Sequence, residues 1–237
     1  MTPAKQIFFS TVALILTLLW FELTDTDLWL QNLLFNTQNN TWLIDSPGWL
    51  LRFVFYDGIK KLLILFALAI IISLLFLRNK KWVKHYHRGL RIVLLSLLIV
   101  PSVTGLLKAT TNVACPRDIV TYGGDIPYVR VFESYPQGQK PEKNQRCFPA
   151  GHASGGFALM ALYFLFHSKR NRRRALAFGL TIGWLMGGYK TLLGHHFLSH
   201  SIITMILAWL LINLIVMLDD FIGLRKKPVV TQPPNVD

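Results

Sequence analysis

Long apolar stretches separated by short polar segments dominate the chain. A helix that crosses a bilayer needs about 20 apolar residues, and six stretches approach or reach that length. They cover residues 6–23, 60–77, 92–107, 153–167, 174–190 and 198–218. The pattern therefore predicts an all-α, polytopic membrane protein with six transmembrane helices. We expect one such domain over residues 1–227 and a disordered tail over residues 228–237.

The first stretch is interpreted as a retained helix and not as a cleaved signal peptide. Lys5 precedes it, but residues 21–24 offer no small-residue cleavage site. In the fifth stretch, Gly179, Gly183 and Gly187 are four residues apart. Such a stripe of glycines predicts that a neighbouring helix approaches closely in the membrane.

Two polar segments are predicted to hold structure of their own. Ser46-Pro47 is typical of a helix start, and the aromatic residues that follow favour an interfacial helix at headgroup depth. This helix either shapes lipid access to a site or serves only as an anchor. Residues 109–148 form a polar loop that is too long for a simple connection. Aromatic residues such as Tyr122 and Phe132 indicate that this loop packs as a lid.

Composition and charge add an orientation to this picture. The chain is 52% hydrophobic and 16% charged, with a mean hydropathy of +0.41, which soluble domains seldom reach. The net charge is +13, and most basic residues fall in the segments after the second and fourth stretches and near the C-terminus. By the positive-inside rule these segments and both termini are cytoplasmic, and the 108–152 loop faces outward. Charges divided among membrane loops form no docking face, so we expect membrane lipids and no nucleic acid as partners.

Three short motifs end apolar stretches on the outward side. They are Lys108, the segment Pro149-Ala150-Gly151-His152, and the run from Lys190 to His196. A neutral imidazole at His196 is able to attack phosphorus, and an imidazolium at His152 is able to give its proton to a leaving alkoxide. The two roles require different protonation states at one pH, so the environments must separate the two pKa values.

Backbone and cationic groups complete a possible phosphate site. The N–H groups at the start of the fourth helix, those of Gly151, His152 and Ala153, and the helix dipole favour an anion. Lys108 and Lys190 end the third and fifth stretches and are able to act as counter-charges. Lysines at a membrane face are often only snorkelling anchors. Their convergence with two histidines favours a phosphate site instead.

The motifs resemble the type 2 phosphatidic acid phosphatase superfamily, also called lipid phosphate phosphatases. That family carries Lys-x6-Arg-Pro, Pro-Ser-Gly-His and Ser-Arg-x5-His-x3-Asp, and the resemblance covers Lys108 to His200. It implies a phosphohistidine intermediate, with no metal and no cofactor. It further implies that His196 is the nucleophile and His152 the leaving-group acid. By position Lys108 resembles the first phosphate-binding lysine and Gly151 the motif glycine. Arg117 and Lys190 are the further candidates for phosphate binding, although they depart from the motif.

Five positions depart from the family pattern, and one of them is Tyr189, which replaces the serine of Ser-Arg. Cys115 stands where the first arginine belongs, and Arg117, Arg130 and Arg146 are the candidates to replace it. Ala150 replaces the motif serine, and Lys190 keeps the charge of an arginine but loses its bidentate fork. His200 replaces the aspartate that orients the nucleophile, and at i, i+4 it shares a helix face with His196. The segments around His152 and His196 resemble a bacterial branch with histidine at this position. That resemblance implies a bacterial inner membrane and a periplasmic active site.

The two cysteines, Cys115 and Cys147, both fall in the outward loop. In an oxidising periplasm they are able to form a disulfide that closes a loop across the site. The alternative is a pair of small buried thiols. Two cysteines alone do not favour a metal site.

The sequence thus favours a metal-independent lipid phosphatase that hydrolyses a phosphomonoester or pyrophosphate through a phosphohistidine. Its expected substrates are lipid A, undecaprenyl phosphate or an anionic phospholipid. A lipid phosphotransferase that uses the same intermediate is the alternative within enzymes. Two alternatives belong to other classes of protein. One is a metal or haem protein that uses His195, His196 and His200. The other is a non-catalytic membrane protein, which leaves the Pro-Ala-Gly-His motif unexplained.

Overall fold

A computed structural model describes residues 2–45 and 48–225 of the chain, and most of them are helical. A small antiparallel pair, β1 (Phe35–Asn36) and β2 (Thr41–Trp42), follows the second helix. A 3-10 segment, Leu159–Phe164, continues α6. The helices are α1 (Pro3–Leu23), α2 (Thr26–Leu34), α3 (Trp49–Arg52), α4 (Gly58–Phe76), α5 (Lys81–Thr110), α6 (Gly151–Ala158), α7 (Lys169–Leu192) and α8 (Leu198–Arg225).

Within residues 2–45 and 48–225, four helices are long and apolar enough to cross a membrane. They are Pro3–Leu23, Trp49–Phe76, Lys81–Thr110 and Leu198–Gly223. The predictions of a helical fold and of a membrane protein are therefore confirmed. The six-span arrangement stays a prediction, because α6 with its 3-10 continuation is short and glycines dilute the hydropathy of α7. The predicted tail over residues 228–237 lies outside the described residues.

The expected interfacial helix is not a separate element. Ser46 and Pro47, its predicted start, lie outside the described residues. After them, α3 continues into α4 through a π-helical turn, Phe53–Asp57, so that Trp49–Phe76 is one helix. Gly58 permits this turn, because a Cβ there would lie 2.7 Å from the Phe53 carbonyl oxygen. The helix that does lie between two spanning segments is α2, which the sequence pattern did not reveal.

The glycines of α7 allow α6 and its 3-10 continuation to pack closely against it. A Cβ on Gly156 would lie 2.7 Å from the Gly183 Cα, and one on Gly179 would lie 2.5 Å from the Met160 nitrogen. Both distances are too short for real carbon contacts, so only glycine fits there. The predicted close approach is confirmed. It seats α6, with His152 in its first turn, against α7.

The outward loop packs against α2 and the small β-pair. Ile119 and Tyr122 form a buried cluster with Phe35, Trp42 and Phe197. The prediction that the loop packs is thus confirmed for Tyr122, whereas Phe132 is exposed. A disulfide joins Cys115 to Cys147, with the two Cα atoms 5.2 Å apart. The loop therefore closes over the end of the bundle where α6 and α8 begin.

The glycine packing leads to a first prediction. Gly179→Ala should lower the free energy of unfolding by about 1–3 kcal/mol, because the added methyl group collides with backbone atoms of Met160 and Leu159. Gly188→Ala is the matched control on the same helix, since a Cβ there meets nothing within 4 Å. Thermal unfolding of both variants in detergent measures the difference. Equal destabilisation of the two would contradict the packing described here.

Candidate active site

Two histidines that are far apart in sequence face each other at the end of the bundle that the 109–148 loop covers. His196 lies in the turn between α7 and α8, and His152 lies in the first turn of α6. The His196 Nε2 is 3.5 Å from the His152 Nδ1, and the ring centroids are 5.8 Å apart. His196 is buried, whereas His152 is partly exposed. The structure thus brings together the two residues with complementary predicted roles.

His200 lies in the first turn of α8, four residues after His196. It contacts the side of the His196 ring that faces away from His152. Its Nδ1 is 3.4 Å from the His196 Nδ1. When the His196 Nε2 carries a lone pair toward His152, the His196 Nδ1 carries the proton and donates it to the His200 Nδ1. A neutral His200 is therefore able to fix both the tautomer and the orientation of the His196 ring.

The predicted phosphate-binding lysines lie around this pair. A Cβ on Gly151 would lie 3.6 Å from the Lys108 Cδ, so the lysine side chain passes beside the start of α6. The charges of Lys108, Lys190 and Lys60 all act on the His152 ring. Lys60, on α4, was not among the predicted site residues. It begins the second apolar stretch next to Lys61, and nothing in that pattern placed it near the motifs.

Of the three candidate arginines, Arg117 is bound to the segment that carries His196. Its Nη1 is 3.0 Å from the His195 Nε2, and its backbone N–H donates to the Gly194 carbonyl at 2.9 Å. Since a guanidinium only donates, the His195 Nε2 is the acceptor. Arg130 is instead paired with Asp25 at 2.7 Å and Glu133 at 3.0 Å. Arg146 acts electrostatically on Lys108.

Burial keeps the turn histidines neutral. Burial is the main cause that lowers the pKa of His195 to about 4, and the Lys190 and Arg117 charges act in the same direction. The pKa of His196 is well below its usual value because its ring is fully buried, with further contributions from His200 and Lys108. Both rings are therefore uncharged at pH 7. A neutral His196 is the form that has a lone pair for attack.

The start of α6 lies beside the histidine pair. The Ala150 N–H donates to the Thr204 hydroxyl at 2.9 Å. Ala150, the residue before α6, makes no side-chain cap bond, and a helix start with its dipole favours an anion. Ala150 itself is fully buried in the apolar core. The start of α6 is therefore able to bind a phosphoryl oxygen through backbone groups.

The disulfide lies against the side of His196 that faces away from His152. The Cys147 Sγ is 3.5 Å from the His196 Nδ1, and the Cys147 N–H donates to the Val113 carbonyl at 3.0 Å. Cys147, His196 and His200 are the one group of possible metal ligands within the described residues, and His195 is not part of it. In the disulfide, however, the Cys147 sulfur is no thiolate. The cluster of three histidines that the sequence offered for a metal or haem is not assembled.

Helix α2 supports the His196 turn, and sequence reasoning missed it. The buried Asp27 accepts a hydrogen bond from the Ser199 N–H at 2.9 Å, and so caps the start of α8. Gln31, four residues later, donates to the His196 carbonyl at 3.4 Å. Two polar residues at i, i+4, on one face of a short helix, were the only signal. Trp42 adds a packing contact, since it covers Gly194, which has φ +67°.

A family model described as PAP2 superfamily matches residues 89–221. This region contains every predicted site residue from Lys108 to His200, whereas Asp27, Gln31 and Lys60 lie outside it. Neither the curated proteins nor the solved structures that were searched gave a match.

The buried Asp27 leads to a prediction about stability and pH. Burial raises the pKa of its carboxyl group from 3.8 to about 6, although hydrogen bonds from Ser199 lower it. Between these values the folded protein holds a proton that the unfolded chain releases, so stability falls as the pH rises through 6. Above that pH the ionised carboxylate costs about 3 kcal/mol. Asp27→Asn keeps the acceptor for Ser199 and should remove this dependence.

Thermal unfolding in detergent at pH values from 4 to 7.5 tests the prediction. The gain in melting temperature of Asp27→Asn over the parent should be near zero at pH 4 and largest above pH 6. Asp125→Asn, which changes an exposed carboxylate of the outward loop, is the matched control and should give no such trend. Parallel pH profiles for the parent and Asp27→Asn would contradict the buried, proton-binding carboxylate.

Proposed function

The chain belongs to the PAP2 superfamily, a family of phosphatases, and from this membership we propose that it is a lipid phosphatase of the bacterial inner membrane. In this proposal it hydrolyses a phosphomonoester or pyrophosphate of a lipid at the periplasmic face. The reaction passes through a phosphohistidine and uses no metal, as the family resemblance implies. One observation carries the proposal: the His196 Nε2 and the His152 Nδ1 are 3.5 Å apart, with His152 on α6 and His196 in the turn before α8.

The two rings divide the reaction between them. The His196 Nε2 attacks phosphorus and the bond to the lipid oxygen breaks, while protonated His152 gives its proton to that oxygen. His152, now neutral, then takes a proton from water as the water oxygen attacks the phosphohistidine. Inorganic phosphate leaves and both rings return to their first state. His200 holds the His196 ring in position throughout.

Cations supply the charge stabilisation. Lys108, Lys190 and Arg117 surround the pair, and their charges oppose that of the phosphoryl oxygens. These cations disfavour protonated histidines: burial and then the charges of Lys190, Arg117 and Lys108 lower the pKa of His195. A bound phosphate dianion offsets that repulsion. We infer that His152 acquires its proton with the substrate, so that the acid is charged only when there is a leaving group to receive the proton.

A cavity of about 590 Å³ between α4 and α5 supports a lipid substrate. Apolar residues line most of it, among them Leu63, Ile64 and Leu97, and at one end it reaches Lys108 and His152. It lies along helices that are apolar enough to cross the membrane. An acyl or prenyl chain in this groove would hold its phosphate at the histidines. A soluble phosphate ester has no apolar chain to place in this groove.

The proposed orientation rests on charge. We propose that α6 with its 3-10 continuation and α7 are the fourth and fifth of six spans. The basic residues at 78–91 and 169–174 are then cytoplasmic, together with both termini. The histidines lie at the other end of the bundle, beside the disulfide. A disulfide is stable in an oxidising compartment such as the periplasm, which agrees with this orientation.

The histidine pair is tested by substitution. His196→Ala should reduce phosphate release from lipid phosphates to background, because no nucleophile remains. His152→Ala should reduce it about 10²–10⁴-fold, the usual contribution of a general acid. His87→Ala, which changes an exposed histidine of α5 outside the site, is the matched control and should keep full activity. The assay uses purified protein with phospholipid, lipid A and prenyl phosphates, and it scores free and transferred phosphate separately. Turnover that survives both substitutions at the site would overturn the proposal.

The groove is tested by filling it. Gly105 lines the cavity, and a Cβ there would meet nothing within 4 Å, so Gly105→Phe should occupy the groove without disturbing the fold. The KM for a long-chain lipid phosphate should rise about tenfold, which corresponds to about 1.4 kcal/mol of lost binding. The rate with a short, water-soluble phosphate ester should not change. Gly188→Phe, at an open position outside the groove, is the control. An equal effect on both substrates would refute a chain-binding role.

A further inference from the structure

The side of His196 that faces away from His152 holds a second set of donor atoms. The Cys147 Sγ, the His196 Nδ1 and a ring nitrogen of His200 lie within 4.8 Å of one another, and all three residues are buried. The proposed reaction uses this side only to hold the ring in place. Cys115, bonded to Cys147, carries a second sulfur next to the first, although it is not part of this group of three.

The spacing of these atoms matches that of a tetrahedral zinc site. Zn–N distances of about 2.0–2.1 Å and Zn–S distances of about 2.3 Å place two nitrogens about 3.3–3.4 Å apart, and a nitrogen and a sulfur about 3.5–3.6 Å apart. The two Nδ1 atoms of His196 and His200 are 3.4 Å apart. The Cys147 Sγ and the His196 Nδ1 are 3.5 Å apart. One ion would therefore fit between these atoms with little movement of either helix.

We propose that reduction of the Cys115–Cys147 disulfide turns this cluster into a zinc-binding site that inhibits the enzyme. A dithiol supplies two electrons and two protons, the S–S bond breaks, and the dithiol leaves as its own disulfide. Zinc then displaces the thiol protons and accepts lone pairs from the two imidazoles. The resulting ligand set is Cys115, Cys147, His196 and His200, a two-cysteine, two-histidine combination that is common in structural zinc sites.

Inhibition follows from the tautomer of His196. A metal on Nδ1 requires the remaining proton of the neutral ring to sit on Nε2. The Nε2 that faces His152 then has no lone pair for phosphorus. Zinc thus blocks the nucleophile without occupying the phosphate site. In the oxidised protein the sulfur atoms are bonded to each other, and the histidine pair alone is a weak ligand set. This consequence rests on the proposed role of His196, whereas the binding of zinc does not.

Binding is measured first, on the full-length protein in detergent. Zinc affinity is determined by competition with a chromophoric chelator, for the oxidised protein and for protein treated with a dithiol that is then removed under anaerobic conditions. We expect one zinc ion per chain, with an affinity at least 100-fold higher in the reduced protein. Cobalt, used as a spectroscopic probe, should give thiolate charge-transfer and tetrahedral d–d bands only in the reduced state. Equal affinity in the two redox states would overturn the proposal.

Two cysteine variants test which sulfur binds zinc without the use of a reductant. Cys115→Ser frees the Cys147 thiol with no reductant, so it should bind zinc and show the thiolate band without dithiol. Cys147→Ser removes the ligand nearest to His196 and should bind no better than the oxidised protein. Size-exclusion chromatography and thermal unfolding establish that each variant is folded, and the reduced wild-type protein tests the site if a variant is not. Zinc binding by Cys147→Ser that matches Cys115→Ser would refute the assignment.

Activity is measured last. Zinc should inhibit phosphate release by the reduced protein at least tenfold, and a chelator should restore it, while the oxidised protein is unaffected. Redox-dependent zinc binding without inhibition would leave the zinc site standing and would argue against His196 as the nucleophile. Zinc inhibition that is equal in both redox states would refute the proposal that reduction of the disulfide creates the zinc site. It would leave the phosphatase proposal intact.

Discussion

The turn that carries His196 is held in place by contacts from outside its own helices, and the rest of the site depends on this. Asp27 caps the start of α8 through Ser199, and Gln31 binds the His196 carbonyl. On the other side, Arg117 binds the Gly194 carbonyl. These contacts come from α2 and from the loop between α5 and α6, so the ring position is set by tertiary structure and not by one helix. In the proposed reaction a nucleophile held this way needs no reorganisation when substrate binds.

The same turn lies among lysine and arginine side chains whose positive charges repel one another. Folding has to offset that repulsion, and the contacts of α2 and the outward loop do so. The lowered pKa of His196 keeps its ring neutral at neutral pH, so that a ring nitrogen has a lone pair. In the proposed reaction the lysine charges stabilise the charge of the phosphate. Close packing of α6 on the glycines of α7 serves the same end, since it fixes the start of α6, which carries His152, beside the His196 turn. Structure and reactivity are therefore coupled through a few buried polar contacts.

Much of this arrangement could be predicted from sequence, for a topological reason. Lys108, His152 and His196 lie at the ends of apolar stretches that the charge pattern predicts to be on one side of the membrane, and a bundle brings such ends together. The supports could not be predicted. Asp27 and Gln31 lie on a nine-residue helix whose partner is 165 to 172 positions away, and nothing local marks that contact. The expected interfacial helix was wrong because a π-helical turn, which sequence periodicity does not reveal, joins it to α4. The choice of Arg117 depended on its bond to His195, another long-range contact.

His200 affects both the pKa of His196 and the ability of the site to bind zinc. An aspartate at this position would place a negative charge beside His196 and raise its pKa, whereas histidine orients the ring without that charge. A buried nucleophile surrounded by cations is already neutral, so orientation is the part of the role that it still needs. The consequence is that two imidazoles now stand beside a cysteine sulfur, a set of donors that suits zinc. Bonding that sulfur to Cys115 removes the thiolate. On this view the disulfide closes the outward loop and also keeps the His196 ring available for phosphate.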